Sequence, residues 1–176
     1  MKLYLVRHTA VDVPQGVCYG QTDVPLKASF EQEAKAVAKQ LSLIEFDAVF
    51  TSPLTRCVKL AHYCGFADAV IDNRLQELNF GDWEMQPWDE IQDPHLDTWY
   101  KDYITVRTTG GESFNDLHRR FCDFIDDLPC GLEQVVIFTH GGVINSARVY
   151  SKATTLQTMF DETPRYGSVT ELTINE

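Results

Sequence analysis

The sequence lacks any long apolar run. The stretch after Lys2 is only Leu3-Tyr4-Leu5-Val6 before Arg7, and the longest later one is Val135-Val136-Ile137-Phe138. Both are strand-sized, far short of a signal-peptide core or a membrane span. Basic residues are also scarce, with 15 Lys and Arg against 26 Asp and Glu and a formal net charge of −11. That balance argues against nucleic acid or an anionic membrane as partner, since both need a basic surface. Cysteine is sparse: Cys18, Cys57, Cys64, Cys122 and Cys130 are odd in number and form no CxxC pair. A disulfide framework is therefore not expected, and a soluble, cytoplasmic protein is. Several catalytic signatures are missing as well. There is no GxSxG, no GxxxxGK[ST] and no HExxH, and no cysteine has Arg six residues later, as a cysteine phosphatase loop would require.

What is present fits one ordinary α/β domain. The chain has 176 residues, 44% hydrophobic and 23% charged, enough for a core without staples. Short apolar runs alternate with helical periodicity. Residues 2–6, 46–51 and 134–139 read as buried strands, 66–71 as a weaker one and 167–174 as the last. Residues 30–43 read as a helix, with Ala34, Val37, Ala38 and Leu41 on one face and Ser29 with Gln32 at capping-box spacing. Ser52-Pro53 looks like N-cap and first residue of a helix running to about residue 64. Residues 87–101 suggest a short helix that Pro94 interrupts. Ser113 caps an amphipathic helix carrying Phe114, Leu117, Phe121, Phe124, Ile125 and Leu128, and a further helix covers 143–150.

This alternation predicts a three-layer α/β/α sandwich around a mainly parallel sheet. Ligands in such sheets bind beyond the C-terminal strand ends. Those ends are Arg7-His8, Thr51-Ser52 and Thr139-His140-Gly141, with Arg56 one helical turn past the second. Two arginines and two histidines converging there would form an anion site, because guanidinium matches phosphate oxygens with a planar fork of donors. A neutral imidazole with one nitrogen held by a hydrogen bond is a competent nucleophile toward phosphorus. His62, His95 and His118 lack such placement and are expected on helix surfaces.

These residues carry a resemblance. Leu5-Val6-Arg7-His8-Thr9 resembles the opening motif of the histidine phosphatase, or phosphoglycerate mutase-like, superfamily. Tyr19-Gly20-Gln21-Thr22-Asp23-Val24-Pro25-Leu26, Thr51-Ser52-Pro53-Leu54-Thr55-Arg56-Cys57 and Arg74-Leu75-Gln76-Glu77 through Glu84 resemble later family segments. Gly110-Gly111-Glu112-Ser113 and Thr139-His140-Gly141-Gly142 complete the set, in order, over nearly the whole chain.

The resemblance implies a phosphomonoesterase acting on a small phosphorylated substrate, with no metal and no cofactor. His8 would attack phosphorus, while Arg7, Arg56 and His140 neutralise its oxygens. Glu77 would protonate the leaving group and then activate water. Tyr19, Gly20 and Gly141 match positions beside the substrate. Glu84 is expected to order its loop, and Trp83 and Trp88 to pack rather than bind. Two departures stand out. Thr9 replaces a glycine, and Pro14 stands where many members carry asparagine. The segments 18–26 and 80–84 are most similar to α-ribazole-5'-phosphate phosphatases. A broad-specificity small-molecule phosphatase, a phosphoprotein phosphatase, a phosphoglycerate mutase and a non-catalytic phosphate-ligand sensor are the alternatives. Oligomeric state is not legible.

Overall fold

The computed structural model describes residues 1–174. Five strands form one sheet in the order β3-β2-β4-β1-β5: β1 Lys2–Arg7, β2 Ala48–Thr51, β3 Val70–Ile71, β4 Gln134–Thr139 and β5 Val169–Thr173. All neighbouring pairs are parallel except β1 with β5, so the sheet is mixed and mostly parallel, as the sequence leads one to expect.

The alternation of side chains along the strands divides the core in two. Leu3 and Leu5 of β1, with Val135 and Ile137 of β4, face α4 (Phe114–Asp126) and α5 (Gly141–Tyr150). Tyr4, Val6, Val136 and Phe138 face α1 (Phe30–Leu41) and α2 (Thr55–Tyr63). Helices thus cover both faces, giving the three-layer arrangement. The remaining α-helix, α3 (Leu96–Lys101), lies in a smaller cluster around Cys18, Trp83 and Ile91, against which Trp88 and Trp99 pack.

Local signals decide the helix ends. Ser113 and Asp116 form a full capping box at the start of α4. The expected box at Ser29 does not form. Ser29 already has helical φ and ψ, and its hydroxyl donates to Glu33 instead (2.6 Å). The helix expected from Pro53 begins two residues later. Leu54 is its N-cap, and Asp23 from a distant loop accepts from the Thr55 N–H (3.0 Å). Before α3 the chain is irregular, and the helix forms only after Pro94. The third strand shrinks to two exposed residues at the sheet edge.

Candidate active site

Register brings the strand ends together. In the parallel β1–β4 pair, Val6 lies opposite Phe138 and Arg7 opposite Thr139. His8 and His140 therefore leave adjacent strands side by side, with ring centroids 5.2 Å apart. In the β2–β4 pair Thr51 lies opposite Phe138, which sets Ser52 beside His140. The Ser52 hydroxyl is 2.8 Å from His140 Nε2.

His8 is buried, and its Nδ1 donates to the Thr9 carbonyl (2.8 Å). Held in that tautomer, it keeps Nε2 unprotonated. Burial first and the Arg56 charge second push its pKa down to about 3, so the ring is neutral at pH 7. His140 is fully buried and also held well below the ordinary histidine range, by burial and then by Arg56. Its Nδ1 accepts from Arg56 Nε (3.3 Å), which leaves Nε2 to donate to Ser52.

Arg56 is fully buried near the start of α2. Its other nitrogens donate to the carbonyls of Thr22 (2.9 Å) and Gly20, and its guanidinium lies 5.6 Å from the Tyr19 ring. It forms no ion pair with any carboxylate among the described residues. A buried cation without an anion is costly, and a bound anion would relieve it.

Arg7 donates to the Pro164 carbonyl and stacks on Tyr166, 4.1 Å from the ring centroid. Glu77 accepts from the N–H groups of Leu78 (2.9 Å) and Gly142 (3.1 Å). Glu77 also belongs to a loop that Arg120 clamps. That arginine donates to the carbonyls of Arg74, Gln76 and Glu77 and pairs with Glu112.

These groups meet at a cavity of about 300 Å³. Arg7, His8, Tyr19, Glu77 and Tyr166 supply its polar wall. Leu78, Phe80, Trp88, Phe114, Leu117 and Phe160 supply its apolar lining. Among the lining residues Glu77 is the sole carboxylate and Arg7 the sole arginine.

Of the residues singled out from sequence, Arg7, His8, Tyr19 and Glu77 line the cavity, while Arg56 and His140 lie buried behind His8. Gly20 and Gly141 do not line it. Gly20 offers its carbonyl to Arg56, and a Cβ there would stand 2.0 Å from the Leu78 carbonyl oxygen. A Cβ on Gly141 would stand 3.4 Å from Arg7 Cζ, so that glycine lies close beside the guanidinium. Gly142 is the one at the wall. A Cβ there would stand 2.3 Å from Glu77 Oε1, which is why the carboxylate can reach α5.

Glu84 orders its loop as expected, accepting from the N–H groups of Gln21 (2.9 Å), Thr22 (2.7 Å) and Phe80 (3.2 Å). Trp83 is buried packing, whereas Trp88 both stacks on Trp99 and lines the cavity. Asp23 caps the N-terminus of α2, accepting from both the N–H and the hydroxyl of Thr55. His118 is half-buried and bonds to Ser146 (2.8 Å), and His95 bonds to the Arg107 carbonyl (2.8 Å), away from the cavity. Sequence reasoning missed Gly142, Phe160 and Tyr166. Only Gly142, inside the Thr139–Gly142 motif, carried a local signal.

Comparison with known proteins agrees with this arrangement. The structure resembles the α-ribazole phosphatase from Shigella flexneri, with a TM-score of 0.89, 26% identity, and coverage of 100% of this chain and 92% of that one. It also resembles YhfR of Bacillus stearothermophilus, with a TM-score of 0.85, 29% identity, and coverage of 99% and 91%. In sequence it is 32% identical over 154 residues to the probable phosphoglycerate mutase GpmB of Yersinia enterocolitica, covering 80% of this chain and 70% of that protein. Residues 3–176 match the family described as histidine phosphatase superfamily, branch 1, and with the His8–His140–Arg56 cluster at its strand ends the chain belongs to that superfamily.

Proposed function

We propose that the protein is a metal-independent phosphomonoesterase that hydrolyses α-ribazole-5'-phosphate through a phosphohistidine on His8. The observation that carries the phosphatase reading is the buried Arg56 guanidinium, without a carboxylate partner among the described residues, behind a neutral His8. Such a site has charge for a phosphoryl group and a lone pair to attack it.

In the first step the His8 Nε2 lone pair forms a bond to phosphorus as the ester P–O bond breaks. Arg7 and the charge of Arg56 stabilise the equatorial oxygens, and His140 holds the Arg56 guanidinium in place through Nδ1. Protonated Glu77 gives its proton to the leaving alkoxide. In the second step Glu77 takes a proton from water, the water oxygen bonds to phosphorus, and the P–N bond breaks. Inorganic phosphate leaves, and His8 and Glu77 return to their starting protonation.

The apolar lining suits a particular kind of leaving group. Phe80, Trp88, Phe114 and Phe160 suit a flat, uncharged group, and the lining offers no arginine beyond Arg7 for a second anion. This favours α-ribazole phosphate over phosphoglycerate, and it accords with the likeness to the Shigella flexneri enzyme. The test is a hydrolysis panel of α-ribazole-5'-phosphate, 3-phosphoglycerate, a sugar phosphate and a phosphopeptide, run with EDTA. Wild-type protein should prefer the first, and acid-labile phosphate should appear on His8. Retained turnover in His8→Ala would overturn the mechanism, and preference for phosphoglycerate would overturn the substrate. Binding without hydrolysis across the panel would mark a sensor.

A further inference from the structure

The segment Pro164–Ser168 lies outside every motif that pointed to the site, yet it grips the end of β1. The Arg7 N–H donates to the Ser168 carbonyl (3.0 Å), and the Gly167 N–H donates to the His8 carbonyl (3.1 Å). Gly167 has φ +63°, a left-handed conformation that suits glycine and turns the chain at this point. The turn presents Tyr166 to the cavity. Its ring lies 4.1 Å from Arg7 Cζ and 5.5 Å from the His8 ring centroid, and its hydroxyl is 2.6 Å from that of Tyr19.

Arg7 is weakly held by other means. Among the described residues its side chain makes one hydrogen bond, to the Pro164 carbonyl, and its Nε is buried without a partner. A Cβ on Gly141 would stand 3.4–3.6 Å from Arg7 Cζ, Nε and Nη2, so the Gly141 backbone lies close beside the guanidinium. A long side chain with one hydrogen bond keeps a fixed direction only if its flat face is confined, and cation–π stacking supplies both confinement and attraction.

We propose that Tyr166 is the positioning residue for Arg7, its ring clamping the guanidinium against Gly141 so that it meets the phosphoryl group in a fixed orientation. This rests on the phosphatase reading only in assigning Arg7 to the phosphoryl group. The ring carries the effect. The hydroxyl pair with Tyr19 bridges the loop before β5 to the loop after β1 and is secondary.

The test is a double-mutant cycle with Tyr166→Leu, Arg7→Ala and the double variant, with Tyr166→Phe alongside. Three quantities are read on the full chain: kcat and KM for p-nitrophenyl phosphate, the orthovanadate dissociation constant by calorimetry, and Tm. Tyr166→Leu should lower kcat and weaken vanadate by about tenfold or more, as expected when a charged group loses its aim. Arg7→Ala with Tyr166→Leu should be no worse than Arg7→Ala alone, because the ring would act only through Arg7. Tyr166→Phe should stay within about twofold, since it keeps the ring.

Additive losses in the cycle would overturn the proposal. So would a Tyr166→Phe as impaired as Tyr166→Leu, or a Tyr166→Leu that raises KM and leaves vanadate binding intact, which would make the ring a wall for the leaving group. The vanadate arm needs no turnover. Failure of the phosphatase reading, with His8→Ala still active, is thus distinguishable from failure of this one.

Discussion

Arg56 Nε donates to His140 Nδ1 across 3.3 Å, and both side chains are fully buried. The pair has no carboxylate to balance it among the described residues, so an anion bound at the site should stabilise the whole fold. Inorganic phosphate at a hundred times its dissociation constant should add about 2.7 kcal/mol. Thermal melts in a phosphate series, with chloride as the ionic-strength control, check this. Arg56→Met should lose most of the phosphate-dependent rise.

Glu77 accepts from two backbone N–H groups and pairs with no side-chain cation among the described residues. Glu77→Gln should slow hydrolysis of an alkyl phosphate by about a hundredfold or more. It should slow p-nitrophenyl phosphate far less, since that leaving group needs no proton. Gly142→Ala should reproduce the pattern, because its Cβ would displace the Glu77 carboxylate. Steady-state kinetics on the two esters separates the outcomes. Equal slowing on both would remove Glu77 from the acid role.

Burial alone would raise the Glu84 pKa, but hydrogen bonds from Thr22, Gln21 and Phe80 outweigh it and hold the carboxyl below its ordinary range. Glu84→Ala leaves those N–H groups without their acceptor. A loss of about 2–4 kcal/mol is expected from urea unfolding. Activity should fall as well, because the same loop carries the Gly20 and Thr22 carbonyls that hold Arg56.

Both site histidines are held neutral in the fold, His8 down to about 3 and His140 well below the ordinary value. The unfolded chain protonates them near pH 6.5, so below that pH it binds more protons than the folded one. Their stabilising contribution is complete above about pH 6.5 and is lost as pH falls toward the folded values. The expected slope is up to about 1.4 kcal/mol per pH unit for each histidine. Melts between pH 7 and pH 5 should show the decline, and His8→Gln should make it shallower.

Much of this was legible in the residues. The periodicities placed α1, α4, β1 and β4, because each buries a face whose spacing is written locally, as Phe114, Leu117 and Phe121 do on α4. The site histidines and arginines were legible because strand ends in a parallel sheet are where ligands bind. The start of α2 was not, since its cap comes from Asp23, more than thirty residues away along the chain. The third strand keeps only Val70 and Ile71 of residues 66–71, because a short exposed edge strand gains little from burial.

The family, the layers and the residues that gather at the strand ends were legible in the sequence, since these follow from local pattern and from motifs whose order is preserved. Tertiary structure alone decided the rest. Strand register set His8 against His140, loop closure set Tyr166 on Arg7, and Phe160 and Trp88 arrived from separate segments to form the apolar wall. Contacts of that kind depend on where two distant segments end in space, which no local periodicity records.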